Sequence, residues 1–253
     1  PILDKVVSDV PAKGNDNGIF GYGGAYVSLT NLVSNVGVVA TDTTGVGTAR
    51  GYLAACQYGG DKGIFGYGTT GSVSSLTNLV SNAGVVATDV TGVGTARHSL
   101  AACSYSSDKG IFGFGVGPVS MTNLVSNSGV VATDVTGVGT ARGRLSACEY
   151  GEDKGIFAYG DTGSVSSLSN LVSNVGVVAT DVTGVGTARK QLASCGYGYD
   201  KGIFGYGTTG SPVSLSNLVS NAGVVATDVT GVGTARYALA GCQYGGDKGI
   251  FGY

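Results

Sequence analysis

The sequence predicts an all-β fold, a β-propeller of four-stranded antiparallel blades. Gly-Ile-Phe begins at residues 18, 63, 110, 155, 202 and 249, so the chain repeats with spacings of 45, 47, 45, 47 and 47 residues. Each repeat holds four short runs rich in β-branched or aromatic residues and bounded by Gly, Asn, Asp or Ser, as strands are. No run has the 3.6-residue period of an amphipathic helix. Four strands in one repeat match a propeller blade, which buries both faces only when neighbouring blades stack against it.

The second repeat illustrates the four predicted strands, which we name a to d in chain order. They are Leu53 to Tyr58, Gly63 to Tyr67, Val73 to Val80, and Gly84 to Val90. The connections between them carry the Gly, Asn, Asp and Ser residues that favour turns. Every repeat has the same order, so one blade can be described for all.

The repeats define a single propeller domain over residues 18–253, preceded by an N-terminal segment of residues 1–17. Within that segment Lys5 to Gly14 is a candidate for a degenerate inner strand, one whose sequence has diverged from the repeat. The reason is that Lys5 precedes Gly18 by the 13 residues that separate Arg97 from Gly110. We favour five blades, with the last a–b pair (Tyr237 to Tyr253) completing the first blade. The alternative is six blades, with that pair as a short sixth blade.

Composition excludes several classes of protein. Hydrophobic residues make up 42% of the chain and charged residues 12%, which supplies a core and too little charge for a disordered tail. The net charge of -2 offers no electrostatic footprint for nucleic acid, so we expect no nucleic-acid partner. No apolar run approaches the roughly 20 residues of a spanning helix, and the N-terminus lacks the basic and apolar regions of an export signal. We expect a soluble chain without membrane insertion and without an uncleaved signal.

Five cysteines occur, one at the same place in each repeat, which is unlike a disulfide framework. They are Cys56, Cys103, Cys148, Cys195 and Cys242. We expect reduced thiols that act as small apolar fillers between blades, which favours a cytoplasmic or virion-associated location. A soft-metal ring around the channel is the alternative. The prediction is that the chain has no metal site and no cofactor.

One order of residues resembles a kelch repeat: Arg97, then Leu100 to Cys103, then Lys109 to Gly115, a polar strand, and a Thr-Gly-Val-Gly-Thr-Ala-Arg return. In that family an arginine precedes the innermost strand, and the second strand ends in glycines. The resemblance covers residues 18–253. It implies a propeller in which strands a to d of each blade lie in that order from the central axis outward. Kelch repeats usually have a Trp near the fourth strand, and this chain has none. Oxidases of the kelch fold hold copper with histidines and tyrosines. This chain has a single histidine, so the resemblance does not imply that activity here.

The invariant polar residues of each repeat are expected to be structural. The arginines should tie one blade to the next by bonding carbonyls or an aspartate. They are Arg50, Arg97, Arg142, Arg189 and Arg236. The aspartate before each Thr-Gly-Val-Gly return should form turns and bond the backbone, and the Asn of each Asn-Leu-Val should bond the c–d turn.

Variation between repeats points to a candidate binding face. It falls on the residues after each arginine, on the b–c connection and on the a–b hairpin tip. Because adjacent strands are antiparallel, the first two emerge on one face and the third on the other. Binding residues commonly lie on loops over a rigid scaffold, so the first face is expected to bind. The candidate binding residues are Tyr52, His98, Arg144, Gln191 and Tyr237.

The sequence offers no candidate catalytic residues, because one imidazole cannot build a Ser-His-Asp set or a histidine metal cluster. We therefore expect no enzyme activity. The leading interpretation is a non-catalytic recognition or adhesion module, with multivalent carbohydrate binding as one form and a protein or glycan as the ligand on one face. The alternative is a purely structural repeat protein, such as a component of a virion or a surface fibre.

Overall fold

The computed structural model of the chain describes residues 16–252, and the sheets formed within this range are all antiparallel. Across this range there are sixteen strands in six sheets and no helix, hence no helix that could cross a membrane.

Sheet one consists of β1 (Gly18–Gly21) and β2 (Thr30–Val33). Sheet two consists of β3 (Ala54–Tyr58), β4 (Lys62–Gly66) and β5 (Thr77–Val80). Sheet three consists of β6 (Ala101–Tyr105), β7 (Lys109–Gly115) and β8 (Val119–Val125). Sheet four consists of β9 (Ser146–Tyr150), β10 (Lys154–Asp161) and β11 (Val165–Val172). Sheet five consists of β12 (Ala193–Tyr197), β13 (Lys201–Gly205) and β14 (Ser216–Val219). Sheet six consists of β15 (Ala240–Tyr244) and β16 (Lys248–Gly252).

The middle strands of sheets three and four are buried over nearly their whole length, because each has a strand on either side and a sheet on each face. In β7 every residue after Lys109 is buried. Ile111 and Phe112 point to opposite faces of the sheet, and both are fully buried. The core therefore lies between the sheets rather than within any one of them.

The predicted fourth strand is present only in part. In sheet two, β5 is joined to the following chain by two isolated bridges, Thr77 with Val90 and Val80 with Val86. Between these bridges the side chain of Asn78 donates to the carbonyl of Ala87 at 3.0 Å. A side chain thus takes the place of a backbone donor, which interrupts the ladder that the sequence pattern predicts.

Neighbouring sheets pack face to face in chain order, with the same side chains at each interface. Between sheets two and three, the rings of Tyr67 and Phe112 lie 5.2 Å apart, and Cys56 Sγ lies against Gly110. A Cβ at Gly110 would lie 2.5 Å from that sulfur, so the position requires glycine. The equivalent contacts are Cys103 with Gly155, Cys148 with Gly202, and Cys195 with Gly249. The prediction that the cysteines fill space between repeats is confirmed, and all five are free thiols.

Sheet six packs against sheet one through the contacts that join the other sheets. Cys242 Sγ lies against Gly18, and the Phe20 ring lies against Gly252. The favoured arrangement, in which the last a–b pair completes the first blade, differs from the structure, where this pair is a separate sheet. The pair stays separate because it packs against sheet one in the same way as each of sheets two to five packs against the sheet that follows it. The candidate strand Lys5 to Gly14 lies outside the described residues.

The repeated arginines tie successive sheets together, as predicted. The fully buried Arg142 stacks 4.5 Å from the ring centre of Phe114 in sheet three. In sheet four its Nε donates to the carbonyl of Tyr159 at 2.8 Å, and its Nη2 donates to Asn170 Oδ1 at 2.6 Å. The same pattern recurs at Arg50, Arg97 and Arg189. A cation held over an aromatic ring and bonded to a second sheet resists separation of the two sheets.

Candidate ligand-binding face

Two of the three places that vary between repeats, the residues after each arginine and the b–c connection, meet on one face of the molecule. In sheet two, Gly51 follows the arginine and Thr69 lies in the b–c connection, and they exchange two backbone hydrogen bonds of 2.9 Å. Gly143 pairs with Asp161, and Lys190 with Thr208, in the same way. The prediction that these two connections share a face is confirmed.

Backbone hydrogen bonds join this face from one repeat to the next. The N–H of Ser99 donates to the carbonyl of Tyr52 at 2.7 Å, and the N–H of Arg144 donates to that of Ser99 at 2.8 Å. Gln191 bonds Arg144, and Ala238 bonds Gln191, in the same sense. All five residues have φ between 52° and 58°, a left-handed conformation that costs energy for residues with a Cβ. We call these five residues the girdle.

The girdle holds three of the predicted binding residues, Tyr52, Arg144 and Gln191. His98 and Tyr237 precede the girdle residues of their own repeats by one position. Tyr52 and Tyr237 are exposed at 47% and 49%, so each offers a free aromatic ring to a ligand. The rings of Tyr52 and His98 lie 6.1 Å apart. The structure therefore places all five residues along one face.

Sequence reasoning missed the acidic residue that organises the charges on this face. Asp161 Oδ2 lies 3.0 Å from Arg144 Nη1 and 2.6 Å from Lys190 Nζ. The hydrogen bond from Lys190, assisted by Arg144, holds the pKa of Asp161 below its ordinary value. Asp161 lies in a b–c connection and Lys190 directly follows an arginine. Both positions vary between repeats, and this variation is the signal that could have predicted the pair. The cluster carries two positive charges and one negative charge.

An aromatic row continues the cluster toward sheet one. Tyr26, which is 44% exposed, lies against Gly51, beside Tyr52. His98 Nδ1 lies 3.0 Å from Ser99 Oγ. Burial, with the nearby charge of Arg144, lowers the pKa of His98 below its ordinary value, so the imidazole is neutral at pH 7. The face therefore combines flat rings, a neutral imidazole and a charged cluster in one continuous strip.

A cavity of about 200 Å³ lies along the first strands of sheets two to six. Its walls include the residue that follows each cysteine, and these residues differ between repeats. They are Gln57, Ser104, Glu149, Gly196 and Gln243. A Cβ at Gly196 would lie 3.0 Å from Glu149 Oε1 and 3.2 Å from Gln243 Oε1, so this glycine leaves room between the two side chains. Sequence reasoning overlooked this fourth variable position.

The cysteines that line this cavity are protonated. Burial raises the pKa of Cys56, Cys195 and Cys242 to about 12, and raises that of Cys103 and Cys148 well above the ordinary value. The thiolate is the form that attacks electrophiles and binds soft metals. The raised pKa values fit the packing role that the contacts with glycine of the next sheet give these side chains.

Comparison with known proteins gives one kind of match. No family model and no curated protein sequence matches the chain. Among solved structures, the chain is similar to a fungal alcohol oxidase of the AA5 family in complex with copper, with a TM-score of 0.55 and 13% identity. The match covers 92% of this chain and 66% of that one, so this chain spans less than two thirds of its length. At this identity the likeness shows the fold alone.

This neighbour contradicts the expectation that the chain is not an enzyme, because a protein of similar fold is a copper alcohol oxidase. The expectation rested on the shortage of histidines, which excludes particular ligand sets and not catalysis in general. The copper itself does not fit the residues present. Within residues 16–252 no group of three or more His, Cys, Asp or Glu side chains could hold a metal ion, and the whole sequence has one histidine.

Proposed function

We propose that the chain is a kelch-like β-propeller of six sheets whose girdle face recognises a ligand. The support for a propeller is the unbroken series of contacts between sheets. The first strands β3, β6, β9, β12 and β15 contact one another in chain order, and β15 contacts β1. A ring of this kind gives every sheet two neighbours.

The observation that carries recognition is the girdle itself. Its backbone is the same in every repeat, while its side chains are Tyr, Ser, Arg, Gln and Ala. Residues held at positive φ by a repeated bond network form a rigid base, and variable side chains on a rigid base are typical of binding surfaces.

A protein or a glycan is the ligand that this surface suits. Tyr26, Tyr52 and Tyr237 are exposed aromatic rings, which can stack on the apolar face of a sugar or on a protein side chain. The Arg144–Asp161–Lys190 cluster supplies donors and an acceptor for hydroxyl or carboxylate groups. Because the girdle side chains differ, we propose one composite site in place of five equal ones.

The test is a glycan array and a protein-interaction screen with the intact chain, followed by titration of each ligand found. A variant with Tyr52, His98, Arg144, Gln191 and Tyr237 all changed to alanine should bind at least 100-fold more weakly, a loss of about 2.7 kcal/mol. The matched control changes Ser107, Glu152 and Tyr199 to alanine at hairpin tips on the opposite face, and should bind as the unmodified chain does.

Both variants should keep the circular dichroism spectrum of the original chain, because the changed side chains lie on connections and hairpin tips and none of them is buried in the core. Unchanged affinity in the quintuple variant would show that the girdle is not the binding face. Equal losses in both variants would assign the effect to the scaffold.

A further inference from the structure

Asp161 carries one more acceptor than its turn requires. It occupies the place in the b–c connection that Thr69 and Thr208 occupy in sheets two and five. There each threonine hydroxyl accepts a hydrogen bond from the N–H two residues further on, at 3.1 Å. In sheet four, Asp161 Oδ1 accepts the corresponding bond from Gly163 at 2.9 Å. The turn therefore does not need the second carboxylate oxygen, Oδ2.

This second oxygen holds two cations side by side. Asp161 Oδ2 accepts hydrogen bonds from Arg144 Nη1 at 3.0 Å and from Lys190 Nζ at 2.6 Å. The side chain of Asp161 is only 13% exposed, whereas those of Arg144 and Lys190 are 41% and 27% exposed. A guanidinium and an ammonium each carry several N–H donors. Within residues 16–252 each directs one donor to Asp161, which leaves further donors for an anionic ligand.

The three charges occur at one place on the girdle face, although the backbone around them is shared by other repeats. In the second repeat, Gly51 occupies the position of Lys190, and Tyr52 occupies that of Arg144. The girdle bonds are the same at both places, because they run through the backbone. The fold therefore does not require the charges, and a role in binding accounts for them.

Aromatic rings lie next to the cluster along the girdle. The backbone bonds from Arg144 to Ser99 and from Ser99 to Tyr52 place the exposed Tyr52 ring two girdle positions from Arg144. His98 lies beside the intervening Ser99, and its ring is 6.1 Å from that of Tyr52. A hexuronate sugar has a carboxylate and an apolar ring face on one rigid unit, which matches these two features. An acidic peptide side chain would lose more rotamer freedom on binding.

We infer that the cluster of Arg144, Asp161 and Lys190 is a subsite for the carboxylate of a uronic acid, and that the ligand of the girdle face is an acidic glycan. This inference rests on the proposed function. Arg144 and Lys190 donate hydrogen bonds to the carboxylate oxygens, and Asp161 positions both donors. Tyr52 and His98 contact the sugar ring.

The test compares acidic oligosaccharides with their methyl esters, which keep the sugar rings and remove the charge. The probes are oligosaccharides of glucuronate, galacturonate, mannuronate and guluronate. Calorimetric titration of the intact chain should show at least one acid bound 10-fold more tightly than its ester, a difference of about 1.4 kcal/mol.

Lys190→Gln should abolish most of this preference and leave the affinity for the ester unchanged. The matched control is Lys201→Gln, because Lys201 pairs with Asp200 at the same distance of 2.6 Å on the opposite face. It removes the same charge from the molecule and should bind the acid as the unmodified chain does. Equal losses in the two variants would assign the effect to net charge and overturn the subsite.

Equal binding of every acid and its ester, or no binding of any acid, would also overturn the subsite. If a neutral glycan or a protein still binds and the quintuple alanine variant loses it, the proposed function of the girdle face stands without this subsite. Tighter binding of an oligoglutamate peptide than of every acidic sugar would overturn the assignment of a glycan.

Discussion

Arg142 contacts two neighbouring sheets, sheet three through Phe114 and sheet four through Tyr159 and Asn170. These contacts explain why every repeat has an arginine at this position. Burial lowers its pKa to about 10, partly offset by Asp181, whose Oδ1 lies 3.7 Å from Nη1. The guanidinium therefore stays charged at neutral pH. The sequence could predict a structural role because an arginine recurred at one position. It could not predict the stacking on Phe114, because that ring comes from the preceding sheet.

We expect Arg142→Ala to lower the free energy of unfolding by about 1–3 kcal/mol, because it leaves the buried carboxamide of Asn170 and the carbonyl of Tyr159 without their donor. Urea denaturation followed by circular dichroism measures this. Arg144→Ala, two residues away and exposed, is the control and should change stability by less than about 0.5 kcal/mol. Similar losses in both variants would contradict the structural role.

The five thiols should stay reduced and unreactive in the folded chain. Each sulfur that lies against glycine of the next sheet is shielded from reagents, and its raised pKa removes the reactive thiolate. Intact mass with and without reductant should be equal, and a thiol reagent at pH 8 should label the chain only after denaturation. A native mass two hydrogens lower than the reduced mass would contradict this.

At the scale of elements, the contact between a cysteine of one sheet and a glycine of the next sets how closely sheets approach. Periodicity predicted the strands well, because alternating burial leaves a pattern in the sequence. The fourth strand was predicted less well. Its interruption depends on the bond from Asn78 to Ala87, which connects residues nine apart, and strand propensity does not include such bonds.

We expect Gly202→Ala to destabilise the chain by about 1–3 kcal/mol through overpacking, because the new Cβ would lie 2.4 Å from Cys148 Sγ. Cys148→Ala removes that sulfur. The double variant should therefore regain part of the loss, and thermal denaturation of the two single variants and the double variant measures this coupling. Additive losses would mean that the two residues do not share the contact.

At the scale of the whole molecule, the repeat made the number of sheets hard to predict at the ends of the chain. The last repeat ends after its second strand, and the sequence alone does not say whether that pair joins the first sheet or stands apart. The contacts of Gly252 with Phe20 and of Cys242 with Gly18 decide this. They join residues more than 220 positions apart, and no local pattern reports them.

The same repetition should make stability fall steeply in acid. Four aspartates occupy equivalent places between sheets, and each accepts hydrogen bonds from a threonine of the preceding repeat. They are Asp89, Asp134, Asp181 and Asp228. Burial acts to raise the pKa of Asp181, but hydrogen bonds from Thr140 and Asn170 and the charge of Arg142 lower it overall. The pKa values of the other three are also lowered.

A carboxylate whose pKa is lower in the folded chain than in the unfolded chain stabilises the fold above the unfolded value of about 3.9, and this contribution is lost as pH falls through the folded value. The four sites should lose it together, so the free energy of unfolding should decline below about pH 4. Asp181→Asn should be less stable at pH 7 and should show a shallower decline in acid. Asp42→Asn is the control, because Asp42 is bonded to Asn31 of its own sheet and, within residues 16–252, to no preceding threonine. Urea denaturation from pH 7 to pH 3 measures both, and an acid slope in Asp181→Asn equal to that of the unmodified chain would show that these aspartates do not link the sheets.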